Sequence, residues 1–437
     1  EEQEMDENMK KRIFSILLPL AMVLSLLPSA AFAAEAVATD GTTQYSTLAE
    51  AVAAVADGGT VTLLKDYEVP KTIVVTKPVT LDLGGNILSE NGAGYVIAVG
   101  GNGDLTLKNG TISITGNQED QSAIYIDTTC TSVEGNNNVV IEKDVTIQAK
   151  DSYGIAILGN KGASKATLTV RGKIEAKCAA VSGNGTYWGT DITIDDGAEL
   201  TSTDSVAVYH PQKGTLTIKA ATITGKGGIE AKSGDSVVTV ENATITATAE
   251  PDHSASSSGT STEGYAVAVV ENSAYQGAPT FTINNGSFYG PIALLEDNQV
   301  AADKAGRITV NGGSFTDLVG AVKYAAPGAV IKLLDDVAVD SRLIVDKALT
   351  IDLGGKTLSQ KPVDDFVLVV AGNGDLTLKN GTVLGNPSKD NRSAIKLDCT
   401  ETKTAGNAKL LIAADVVVKN TNGYGVSLFG NQDANTA

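Results

Sequence analysis

The sequence predicts an all-β chain of the parallel β-helix kind, a solenoid of stacked rungs. Three observations carry this: a long internal repeat, a shorter strand–turn repeat within it, and the composition. Gly101–Gly110 and Gly372–Gly381 read the same ten residues, GNGDLTLKNG. Around them, Leu81-Asp82-Leu83-Gly84-Gly85 matches Ile351-Asp352-Leu353-Gly354-Gly355, and Tyr153-Gly154-Ile155 matches Tyr424-Gly425-Val426. The offset is 270 residues before the decamer and 271 from it onward. A fixed period of this kind points to repeat architecture. The 437 residues include 46 Gly, are 42% hydrophobic and only 19% charged, too apolar for a disordered chain. The 33 basic against 51 acidic residues, a net charge of −18, argue against nucleic acid and anionic lipid as partners.

The first segment reads as an address. Lys10, Lys11 and Arg12 precede an apolar run from Ile13 to Leu27, followed by Pro28-Ser29-Ala30-Ala31-Phe32-Ala33. This is the order of a secretory signal peptide, cleaved after Ala33. The acidic residues before Met9 do not fit a signal, so Met9 is the expected start. Residues 34–44 read as a linker, 45–314 as a first β-helix unit and 315–437 as a second, incomplete one. The short second unit implies a chain that continues past Ala437.

Each unit opens with a short amphipathic helix. Leu48, Ala51, Val52 and Val55 form one apolar stripe, and Leu318, Ala321, Val322 and Ala325 repeat it. Thr47 with Glu50 has capping-box spacing, and Thr316 or Asp317 serves the second helix. Gly58-Gly59 and Pro327-Gly328 are the stop signals. Such helices suit the open end of a solenoid, which must be covered.

After each helix, apolar residues alternate with period two. Leu105-Thr106-Leu107-Lys108-Asn109-Gly110-Thr111-Ile112 is the clearest pair of strands. Similar anchors begin at Leu81, Val139, Leu168, Ile192, Leu216, Val238, Phe281 and Ile308, and a third short strand recurs between them, as at Ala123–Ile126. Three short strands per turn of 22 to 34 residues make a parallel β-helix rung, with one longer step of 43. That step carries Pro251–Gly264, which reads as a flexible Ser-rich loop. Asn109, Asp196, Asn242, Asn285 and Asn380 fall at equivalent turns, open to two readings: an Asn ladder or ordinary left-handed turn chemistry.

The search for chemistry assigns no catalytic, cofactor-binding or metal-binding residue. The carboxylate pairs Asp195-Asp196, Asp335-Asp336 and Asp364-Asp365 are adjacent, and neighbours on a strand face opposite ways, so they read as turns. The arginines beyond the leader, Arg171, Arg307, Arg342 and Arg392, are scattered over different rungs. His210 reads as a surface turn residue and His253 as solvated; Cys130, Cys178 and Cys399 read as buried thiols, with no zinc spacing. Gly100-Gly101-Asn102-Gly103-Asp104 approaches a Ca²⁺-binding GGxGxD run, but its Asp comes one residue early.

The stretches YSTLAEAVAAVADGGTVTLL, VTLDLGGNILS and GNGDLTLKNGTI, with AVYHPQKGTLTI and GGIEAKSG further on, resemble the pectate-lyase-like β-helix repeats of proteins exported to the surface of Gram-positive gut bacteria. The resemblance runs from Tyr45 to Ala437. It implies a right-handed parallel β-helix at the cell surface or secreted. No catalytic motif of the true lyases matches a position here. The resulting expectation is a non-catalytic, adhesin-like stalk whose partners are glycans or host surface proteins. The alternatives are a polysaccharide lyase or glycoside hydrolase with an unrecognised site, and a structural spacer. Tyr125, Tyr153, Tyr187, Trp188, Tyr209 and Tyr265 are the aromatics available for sugar binding.

Overall fold

The computed structural model describes residues 35–430 apart from 91–93, 116–120, 129–133, 159–163, 185–187, 233–234, 255–258, 272–278, 298–306, 362–363 and 403–405. The signal-peptide reading, Cys130, Tyr187 and part of the Ser-rich loop lie outside the described residues. Nearly every strand pairing among the described residues is parallel and joins one rung to the next, so the chain is a parallel β-helix. In the fullest rung, Asp104–Lys108 forms the first face, Gly110–Ile114 the second and Ser122–Ile126 the third. Asp104–Lys108 pairs with Val79–Asp82 below and Asn137–Ile141 above, and the other two strands likewise have a partner on each side.

The alternation decides what lies inside. Leu105, Leu107, Ile112, Ile114, Ile124 and Ile126 point inward, each no more than 1% exposed, and belong to one core running the length of the stack. Adjacent rungs supply the backbone partners that a lone short strand lacks. The repeated Asn-Gly fits the corner between first and second faces. Asn109 and Asn380 take left-handed φ of 61° and 64°. A Cβ on Gly110 would stand 2.5 Å from that of Leu83, so glycine lets the corner close against the rung below. The Asn ladder is local only: Asn285 donates to Asn242 at 2.7 Å and Asn311 to Asn284 at 2.8 Å. Asn109 and Asn380 instead bond Asp82 and Asp352, so turn chemistry governs those corners.

Helix α1, Leu48–Ala54, buries Leu48, Ala51 and Val52, and the Thr47 hydroxyl accepts the Glu50 N–H at 3.2 Å. Helix α2, Val319–Tyr324, buries Gly320, Ala321 and Val322; Asp317 rather than Thr316 meets its first amides. After α2 the stack slips by one face. The strand Ala325–Leu333 opens the second unit, yet pairs Val330–Leu333 with Gly312–Phe315, which continues the second face of the first unit. Consequently the third-face sheet, nine strands from Ile73–Val75 to Ile292–Asp297, ends there, and two four-stranded sheets begin with Val337–Val339 and Leu343–Val345. In the last described rung Leu428, in register with inward Leu397, is 65% exposed, while Leu411 sits at an outward position beside Thr377. No helix among the described residues is long and apolar enough to cross a membrane.

Candidate functional site

The third face differs from the other two. Its outward positions, one per rung, run Val74, Ala98, Tyr125, Ala156 and Ser182 in direct register. The row continues through Tyr209, Glu230, Ala268 and Leu295. Tyr95 stacks on Tyr125 with ring centroids 4.3 Å apart and planes within 12°. The Tyr125 hydroxyl donates to Asp127 at 3.0 Å. One rung on, half-buried Tyr153 packs with Ala179, Val206 and Tyr209. Small side chains therefore flank partly exposed Tyr95, Tyr125 and Tyr153 along this half of the face, rings that combine an apolar body with a polar tip. Of the aromatics singled out in the sequence, Tyr125, Tyr153, Tyr209 and Tyr265 all fall on the third face. Trp188 begins a first-face strand, Trp188–Ile194.

The other half of the face is covered by the segment read from sequence as a flexible loop. It forms a two-stranded hairpin, Asp252–His253 with Thr262–Glu263, strapped across the strand Gly227–Lys232. Glu230 and Lys232 point outward from that strand yet are fully buried, 3.3 Å apart. The Glu230 carboxylate accepts the N–H groups of Ser261 and Thr262 at 2.9 and 3.1 Å, and both hydroxyls at 3.1 and 2.8 Å. Lys232 donates to Gly259 O at 2.8 Å and Ser261 Oγ at 3.0 Å. A buried ion pair with its remaining lone pairs filled is tolerable, and here the strap supplies the filling. Nothing in the sequence pattern marked Glu230 and Lys232; their alternation looks like any solvated strand face.

Both histidines correct the sequence reading. His253 is not free in solvent: its ring bridges Ser261 O and the Asp297 carboxylate, fastening the strap to the strand Ile292–Asp297. His210 is not at the surface but wholly inside the core, in register with inward Ala231. Burial pushes its pKa down to about 4, with Gly214 backbone offsetting part of the shift. Next to it, buried Gln212 donates to Ile157 O and Leu158 O at 2.9 and 3.0 Å.

The charged residues weighed for chemistry hold the stack together. Asp195 joins Lys219 and Arg171 at 3.1 and 3.2 Å, which keep its carboxyl below the usual range. Asp364 pairs with Lys389 and Arg392, and Asp365 with Arg342. Asp336 accepts the Thr357 N–H at 2.7 Å from the next rung. Arg307 meets Glu271 at 3.3 Å. Cys178 is half-buried and Cys399 buried. Among the described residues no three His, Cys, Asp or Glu stand together as a metal site.

Among the described residues, hollows adjoin this face at the strap and at the slip. One, about 130 Å³, lies beside the strap between Asp204, Asp252 and Glu263. The other, about 500 Å³, opens where the stack slips, between Ile292–Asp297, α2 and Val337–Val339.

No family model matches the chain, and no curated protein matches it. Among solved structures, a mutant of the PL6 family alginate lyase AlyGC is similar over 87% of this chain and 78% of its own, at 11% identity and a TM-score of 0.18. With likeness that slight, the assignment of a parallel β-helix stands on the strand pairings.

Proposed function

We propose that this chain is an exported, non-catalytic β-helix protein that works at a cell surface by holding glycans on its third face. The single observation that supports it is the run of Tyr95, Tyr125 and Tyr153 over successive rungs, beside the small outward residues Ala98, Ala156 and Ser182. A pyranose ring presents an apolar C–H face and a rim of hydroxyls. Flat phenol rings on a rigid backbone match both without ordering cost at each ring. Binding rather than cleavage is favoured by how the basic groups are employed. Arg171, Arg307, Arg342 and Arg392 are each tied to carboxylates, and His210 is locked in the core.

The test is a glycan-array screen of the full chain beside its Tyr125→Ala/Tyr153→Ala variant, with an assay for unsaturated or reducing ends on the same sugars. The expected result is saturable binding, weakened about tenfold or more in the variant, roughly the effect of 1.4 kcal/mol, and no new chain ends. Release of products abolished by one point mutation would establish an enzyme instead. Absence of any binding would leave a structural spacer.

A further inference from the structure

The 500 Å³ cleft at the slip holds a strand edge turned into a hollow. Along Val337–Val339, the Lys361 N–H donates to Val339 O at 2.9 Å, so alternate residues of this strand bond the rung above. The N–H and C=O of Ala338 therefore point the other way, toward the cleft that Ala338 lines, where no backbone group of the described residues pairs with them. The facing edge, Ile292–Asp297, is served at two positions. Asp317 accepts the Ala293 N–H as well as that of Val319, and Tyr324 meets the backbone of Glu296. Burial pushes the Asp317 carboxyl above its usual range, and these N–H groups pull it partly back. The Ala338 amide thus stands opposite an apolar wall of Ile292, Leu295 and Val319, the last 48% exposed.

We infer that this cleft binds an N-acetylated hexosamine of a glycan chain; the inference deepens the glycan-binding reading and rests on it. A secondary amide is the group that satisfies Ala338 from both sides, as a neighbouring strand would. Its methyl needs an apolar wall, and the attached sugar needs the remaining space, which falls within the roughly 300–1,000 Å³ of small-molecule sites. Glu296, Asp317, Asp336 and Asp340 line the cleft against Lys323 and Lys361; Glu296 already accepts the Arg307 and Ile308 N–H groups, Asp336 accepts that of Thr357, and Lys361 pairs with Asp340 at 2.7 Å. That balance rejects uronic acids by like charge and selects a neutral amide sugar.

The probe is N,N′-diacetylchitobiose, titrated by calorimetry into the full chain. The comparison ligands are its unacetylated diamine, a galacturonate dimer and the capped tripeptide acetyl-Ala-Ala-Ala-amide. Ala338→Pro removes the outward N–H while leaving the ladder to the rung above, and Val319→Asp alters the exposed wall without touching that strand. The expected result is binding of the diacetyl sugar alone, weakened about tenfold by either variant, the loss of roughly one good contact. The Tyr125→Ala/Tyr153→Ala variant keeps this binding, which separates the cleft from the tyrosine row. No binding of the diacetyl sugar would overturn the inference. So would binding indifferent to both variants, or equal binding of the diamine, the uronate dimer or the tripeptide.

Discussion

His210 shows how a single side chain escapes a sequence reading. Tyr209-His210-Pro211 looks like a strand running into a surface turn, and proline does end the strand there. The alternation that places Val208 inward places His210 inward too, and tertiary packing keeps it there at the cost of its charge. The consequence is a pH dependence of known sign. The folded chain keeps the imidazole neutral down to about pH 4, whereas the unfolded chain protonates it near 6.5. Between those values the unfolded state binds more protons, so stability is complete above pH 6.5 and falls as pH drops toward 4. The total loss is about 3 kcal/mol. Urea melts at pH 7 and pH 4.5 check this: the parent loses that increment and His210→Gln does not. Equal losses in both would place the titrating group elsewhere.

Among the elements, the hairpin Asp252–His253/Thr262–Glu263 was the least legible and carries the most structure. Serine and glycine composition correctly marks it as an excursion from the stack, but composition cannot reveal a partner surface. The partner is Gly227–Lys232, a strand whose outward Glu230 and Lys232 become core once the strap lies over them. Lys232→Met leaves the Glu230 carboxylate buried without its counter-ion. We expect a destabilisation of about 3–5 kcal/mol, the usual consequence of breaking one side of a buried pair. Limited proteolysis should cut first within 252–263. A variant that melts like the parent, with the hairpin still protected, would show that backbone and hydroxyl contacts hold the strap unaided. The helices behaved differently. The stripes Leu48–Val55 and Leu318–Ala325 are readable because a 3.6-residue period stands out against period-two surroundings. What α2 does to the stack was hidden, since a slip of one face leaves the inward–outward alternation of every strand intact.

At the scale of the molecule, the rungs were legible because inward and outward residues alternate without exception in strands such as Asp104–Lys108 and Asp375–Lys379. The third face was only half legible. Its tyrosines could be enumerated, but their register depends on loop lengths between rungs, which strand patterns do not constrain. The cleft was invisible for a related reason: it exists only because the second unit restarts on a different face. The central claim is that the third face, and not the threonine-bearing outer surfaces of the other two, meets the glycan. Hydrogen–deuterium exchange with and without a bound array-positive glycan tests it most directly. The expected result is slowed exchange over 94–99, 121–127 and 152–157, with the strands Val79–Asp82 and Gly110–Ile114 unchanged. Protection confined to the first or second face, with 121–127 and 152–157 unaffected, would contradict it.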